Sequence, residues 1–227
     1  MTDRNRLALF DFDGTLVDSL GLIVRTFRAA FAANDLAAPA PTDIRATIGL
    51  PLNTSVHRLR SDLPPAVAER VVATYLDLYA DGQETDDGHP SLFDGAADAL
   101  DALEADGWWL GIVTGKSRRG LIGTLDHMGI RQRFVTLHSA DDGPGKPLPD
   151  PALAAAGAVA VAPADCVVIG DTVFDVQMAR DAGMPVVGVS WGYHPPAALL
   201  DAGAATVIDQ FAALPAIAST LWQQAGP

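Results

Sequence analysis

Short apolar runs alternate with longer stretches of helical period along this chain of 227 residues. The runs at 7–11, 110–114, 134–138, 167–171, 186–190 and 206–208 have the length and composition of buried strands. Between them, residues 94–106, 117–129, 150–161, 172–183 and 197–202 show helical spacing. Gly129 and Gly183 stand where helix C-caps are needed. Such alternation predicts βαβ units, hence an α/β fold with a doubly wound parallel sheet.

The rhythm breaks once, between Ser19 and about Gly88. No strand pattern occurs there, and helices are expected at 20–34, 42–47, 52–59 and 64–80. This stretch reads as an α-helical cap domain, residues 19–87, inserted into a core domain made of residues 1–18 and 88–227. Its return hinge is the polar, Asp- and Gly-rich segment 81–88. Insertion after the first strand places the cap beside that strand's carboxyl end.

Composition narrows the partners. A net charge of −13 argues against nucleic acid and anionic membranes, which need clustered Lys and Arg. A small phosphorylated metabolite stays compatible, since one pocket can be positive on an acidic protein. Lys116 and Lys146 are the only lysines. The single cysteine, Cys166, excludes an internal disulfide and fits a buried small hydrophobe. Residues 1–6 carry no signal-peptide core and no apolar run reaches ~18 residues, so a cytoplasmic protein is expected. Monomer and homodimer are equally open.

In open parallel sheets the ligand crevice lies beyond the carboxyl ends of the strands. The first strand ends in Asp11, with Asp13 two positions on and pointing the same way. Two like charges aimed at one spot call for a cation or a proton between them. Thr114 ends the second strand and is followed by Gly115-Lys116-Ser117. Gly170-Asp171-Thr172 ends the fourth, with Asp175 one helical turn on. Lys146 stands before a helix, among Gly145, Pro147 and Pro149. Carboxylates suit Mg²⁺, while the hydroxyl, ammonium and helix N-terminal amides suit a phosphoryl group. Singly, each residue has a plainer reading: a solvated turn, a helix cap, a surface lysine. Asp171 in particular is either a helix N-cap, a metal ligand, or both. The stretch from Gly111 to Ser117 approaches a nucleotide-binding P-loop, but the spacing is one residue short and half of it reads as strand.

Together these motifs resemble the haloacid dehalogenase superfamily. Asp11-Phe12-Asp13-Gly14-Thr15 is similar to its first motif, Thr114 to its second, Lys146 to its third, and Gly170-Asp171 with Asp175 to its fourth. The run through Val17-Asp18-Ser19 is most similar to the phosphoglycolate phosphatase-like branch. The resemblance implies a Rossmann-like core with a helical cap, and an Mg²⁺-dependent phosphomonoesterase acting through an aspartyl-phosphate. It implies Asp11 as nucleophile and Asp13 as acid and base, with Asp11, Asp13 (through its carbonyl), Asp171 and Asp175 around the metal. Gly14, Thr114, Gly115 and Lys146 would bind the phosphoryl group, and phosphoglycolate is the substrate by analogy.

Within that superfamily, Asp13 argues against a dehalogenase, because halide leaves without a proton. No lysine lies between Ser19 and Gly88 for a Schiff base, which argues against a phosphonatase. Ile23 stands where phosphoglucomutase-type enzymes carry a histidine. Such a phosphotransferase, and a noncatalytic binding module on this fold, are the alternatives. Lys116 is open between substrate and solvent. Arg45, Arg58 and Arg60 are open between solvated charge and substrate anion, and the aromatics of Trp191-Gly192-Tyr193-His194 between packing and pocket support. The loop Ile48-Gly49-Leu50-Pro51 is expected to face the site.

Overall fold

Strand β1 (Arg6–Phe10) occupies the middle of a six-stranded parallel sheet in the computed structural model, which describes residues 5–82 and 90–225. Its neighbours are β4 (Trp108–Val113) and β6 (Cys166–Gly170). Beyond β4 lies β5 (Phe134–His138); beyond β6 lie β7 (Val186–Val189) and β8 (Thr206–Ile208). The expected strands are therefore present, each within two residues at its ends. Register sets the chemistry: Phe10 pairs with both Ile112 and Ile169, so the three central strands finish level. The residues just past them, Asp11, Thr114 and Asp171, must then face one crevice.

Alternation along β1 feeds two cores. Ala8 and Phe10 join one cluster with α5 (Ala96–Ala105), α6 (Arg118–His127) and α10 (Leu214–Ala225). Leu7 and Leu9 join another with α7 (Asp150–Ala158), α8 (Val173–Asp181) and α9 (Pro196–Ala202). Helices thus cover both faces, as a parallel sheet with apolar strands requires. Cys166 is fully buried in the second cluster, and burial, helped by Asp165, pushes its thiol up to about 12. Gly129 and Gly183 have φ of +66° and +72°, the left-handed geometry of a helix end.

Four helices lie between the first and second sheet strands in sequence: α1 (Leu20–Ala32), α2 (Pro41–Arg45), α3 (Leu52–Leu59) and α4 (Pro65–Gly82). They gather around Phe27, Phe31, Ile44, Val56 and Tyr75, with Tyr193 of the sheet side joining them. Residues 83–88 of the expected hinge lie outside the described residues. Two features are unexpected. A two-stranded antiparallel ribbon, β2 (Val17–Asp18) with β3 (Ser91–Leu92), ties the outgoing and returning chain together. Two residues per strand are too few to show a period. Helix α10 was also unforeseen, although Leu214, Ile217, Ala218, Leu221 and Trp222 follow helical spacing onto the first core. Pro215 in its first turn hides the start. Among the described residues, no helix is long and apolar enough to cross a membrane.

Candidate active site

Asp11, Asp171 and Asp175 are all buried, and each offers a carboxylate oxygen within 4.8 Å of the others. The Lys146 ammonium stands between two of them, 2.7 Å from Asp11 Oδ1 and 2.6 Å from Asp175 Oδ1. Asp171 accepts from Thr15 Oγ1 at 2.8 Å and from the Tyr193 amide at 2.8 Å. Asp175 Oδ2 accepts from the Thr172 amide and hydroxyl, and Thr172 in return accepts from the Asp175 amide. This capping box starts α8, so Thr172, not Asp171, is the helix cap. That leaves the Asp171 carboxylate free of the capping role, beside Asp11 in the buried cluster. Gly14, with φ of +92°, is needed where it stands: a Cβ there would lie 2.6 Å from Asp171 Oδ2 and from the Tyr193 ring.

One lysine against three buried carboxylates leaves the cluster short of positive charge. Burial raises the Asp11 pKa well above the usual carboxylate range; Lys146 opposes this, while Asp175 and Asp171 reinforce it. Burial, then Asp175, pushes Asp171 up to about 7. Burial works against the charge of Lys146, but Asp11 and Asp175 outweigh it and raise its pKa. Asp11 Oδ2 is buried without a hydrogen-bond partner among the described residues. A hard divalent cation fits such an oxygen-only, under-neutralised set.

Asp13 stands apart from that cluster. Its carboxylate accepts from Ser19 Oγ at 2.7 Å and from the Lys116 ammonium at 3.1 and 3.2 Å. Lys116 also donates to the Tyr79 hydroxyl and lies 4.2 Å from the centre of the Tyr79 ring. Burial alone would lower the Lys116 pKa, but Asp13 and Tyr79 raise it, so the ammonium stays charged. Lys116 thus faces Asp13 and not solvent, and nothing along the chain announces that α4 brings Tyr79 onto it.

Asp11, Asp13, Thr114, Gly115 and Lys116 line one cavity of about 230 Å³. Its opposite wall comes from the helical segment, including the loop Ile48-Gly49-Leu50-Pro51. Gly115 meets that loop directly: a Cβ would lie 2.6 Å from the Leu50 carbonyl oxygen and 2.8 Å from that of Gly49. Thr114 donates its amide to His138 and its hydroxyl accepts from the Lys116 amide. The three arginines left open all turn elsewhere. Arg45 donates to the Gly192 and Tyr193 carbonyls, Arg58 lies over Phe174, and Arg60 pairs with Asp62. The loop carrying Trp191 to His194 supports the site. Trp191 donates to the Thr15 carbonyl, the Tyr193 amide holds Asp171, and His194 Nδ1 accepts from the Val173 amide at the start of α8.

Known proteins resemble this chain in sequence and fold. The family description "Haloacid dehalogenase-like hydrolase" matches residues 8–189, which run from β1 to β7. The chain belongs to the haloacid dehalogenase-like hydrolases. It is 36% identical over 191 residues to a phosphoglycolate phosphatase of Xylella fastidiosa (strain 9a5c), covering 83% of this chain and 82% of that protein. It is 34% identical over 190 residues to a phosphoglycolate phosphatase of Xanthomonas campestris pv. campestris (strain 8004), covering 83% and 85%. Among solved structures, a hydrolase from Pseudomonas syringae superposes with a TM-score of 0.84 at 25% identity, over 95% of this chain and 99% of that one. Such coverage spans the α/β sheet and the helical segment of this hydrolase alike.

Proposed function

We propose that this phosphatase is an Mg²⁺-dependent phosphomonoesterase of a small phosphorylated metabolite, working through an aspartyl-phosphate on Asp11, with the four-helix segment as its cap domain. The observation that carries this is the Asp11 carboxylate. One oxygen is paired to Lys146, the other is buried and unpartnered, and a second carboxylate, Asp13, shares the same cavity. An ionised carboxylate held by a lysine attacks phosphorus, and the phosphoryl bond to the leaving oxygen breaks as the bond to Asp11 forms. Asp13, oriented by Ser19 and Lys116, gives its proton to the leaving alkoxide and then takes one from the water that hydrolyses the acyl-phosphate. Lys146, the Thr114 hydroxyl and the Gly115 amide would balance the charge of the transferring group; Gly14, expected from the sequence to join them, instead donates its amide to the Val17 carbonyl and packs beneath Asp171.

Asp11, Asp171, Asp175 and the Asp13 carbonyl would hold Mg²⁺. When bound, the ion would offset repulsion between Asp11 and the phosphoryl oxygens. The test is hydrolysis of p-nitrophenyl phosphate with Mg²⁺ and after chelation, by the native enzyme and by Asp11→Asn. Native turnover should need the metal. Asp11→Asn should fold and lose roughly 10³-fold or more in kcat. Metal-independent turnover, or an active Asp11→Asn, contradicts the reading.

A further inference from the structure

Resting on the phosphomonoesterase reading, we propose that the cavity selects esters of uncharged, apolar alcohols, best an aromatic one, and rejects a leaving group that carries its own carboxylate. The wall facing the catalytic carboxylates is built from Phe27, Ile48, Leu52, Val72, Tyr75 and Tyr79. Its rings form a continuous face: Phe27 and Tyr75 have centroids 4.6 Å apart, and Tyr75 stacks on Tyr79 at 5.8 Å with 22° between planes. Tyr75 lines the cavity and its hydroxyl has no protein partner among the described residues, so with Asn53 it offers the bound alcohol neutral hydrogen-bonding groups, while the Ser55 hydroxyl is taken by the Thr47 carbonyl. Apolar and aromatic walls with few polar groups are how ligand sites take an uncharged moiety.

Charge argues the same way. A second anionic group needs a cation, and the helical segment supplies none. Its arginines are Arg25, Arg28, Arg45, Arg58, Arg60 and Arg70, and none of them lines the cavity. Residues 83–89 contain neither lysine nor arginine. Among the described residues, Lys116 is the one cation that lines the cavity, and it is already committed to both Asp13 oxygens and the Tyr79 hydroxyl. Against it stand Asp11, Asp13 and Asp141 in the same lining. A carboxylate entering this space would lose its hydration without gaining a partner. The same apolar wall gains by covering hydrocarbon.

The experiment compares kcat/KM for benzyl phosphate and phosphoglycolate under Mg²⁺. Both release a primary alkoxide, so the chemical step is matched and the organic moiety differs. The expected ratio favours benzyl phosphate by about tenfold or more. A smaller ratio overturns the proposal while leaving the phosphatase reading intact. No hydrolysis of either ester overturns both. Leu52→Arg adds the missing cation to the wall and should lower the ratio by about tenfold, chiefly by raising kcat/KM for phosphoglycolate. Should that variant fail to fold, Asn53→Lys introduces a cation at an exposed position on the same wall. An unchanged ratio in a folded variant of either kind overturns the assignment of this wall to the leaving group.

Discussion

At the scale of single residues, two lysines divide the work of the site. Lys146 sits between Asp11 and Asp175, while Lys116 holds Asp13. Replacing Lys116 by Met keeps its bulk and removes the charge that orients Asp13. Under the proposed mechanism kcat should fall by about tenfold or more with KM little changed, and Lys116→Arg should recover part of it. Steady-state kinetics on p-nitrophenyl phosphate read this; an unaltered kcat would make Lys116 structural. The two lysines differed in how plainly the chain marked them. Lys146 stood out because Gly and Pro surround it in a protein almost free of lysine. Lys116 carried no such mark, because its partner Tyr79 is 37 residues away on another element. Asp175 was legible as a carboxylate one turn into a helix, yet its hydrogen bonds with Thr172 needed coordinates.

At the scale of elements, the carboxyl end of the sheet does the assembling. The level register of β1, β4 and β6 puts Asp11, Thr114 and Asp171 side by side, and the residues that end the apolar runs made that legible. What the apolar pattern could not show is the contact across the cavity. Gly115, at the end of β4, fits under the carbonyls of Gly49 and Leu50 only because it lacks a side chain. Gly115→Ala would force that loop outward. The expected cost is about 1–3 kcal/mol of stability, with a loss of activity toward every ester tested. Thermal unfolding and kcat/KM check both, and native-like values in each would mean the loop yields freely. The ribbon β2–β3 and helix α10 mark the limit of periodicity: one is too short to have a period, and the other begins across a proline.

At the scale of the whole molecule, a net charge of −13 surrounds a site whose buried carboxylates exceed its buried cations. Asp171, raised to about 7 from an ordinary 3.8, stabilises the metal-free fold most below the unfolded value. That contribution is lost as pH rises through about 7, because the folded state then carries a charge that the unfolded chain carries at less cost. A cation reverses the deficit. Mg²⁺ should therefore raise the melting temperature, and by more at pH 8 than at pH 5.5, since binding requires deprotonated carboxylates. Equal shifts at the two pH values, or none, would contradict metal binding at Asp11, Asp171 and Asp175. Composition had pointed away from polyanionic partners, and the three strand-end motifs with the loop lysine Lys146 had pointed to phosphoryl chemistry. The apolar character of the cavity was not legible, because which faces of α1, α3 and α4 turn inward depends on how they pack.

The covalent role of Asp11 is the claim on which the rest depends. Enzyme turning over p-nitrophenyl phosphate with Mg²⁺ can be quenched in acid, digested and read by mass spectrometry. The account predicts a phosphoryl group on the peptide containing Asp11, localised to that residue and absent when Asp11→Asn is treated alike. Turnover with no phosphoryl group on Asp11, or with the group on Asp13 or Asp171 instead, would contradict it.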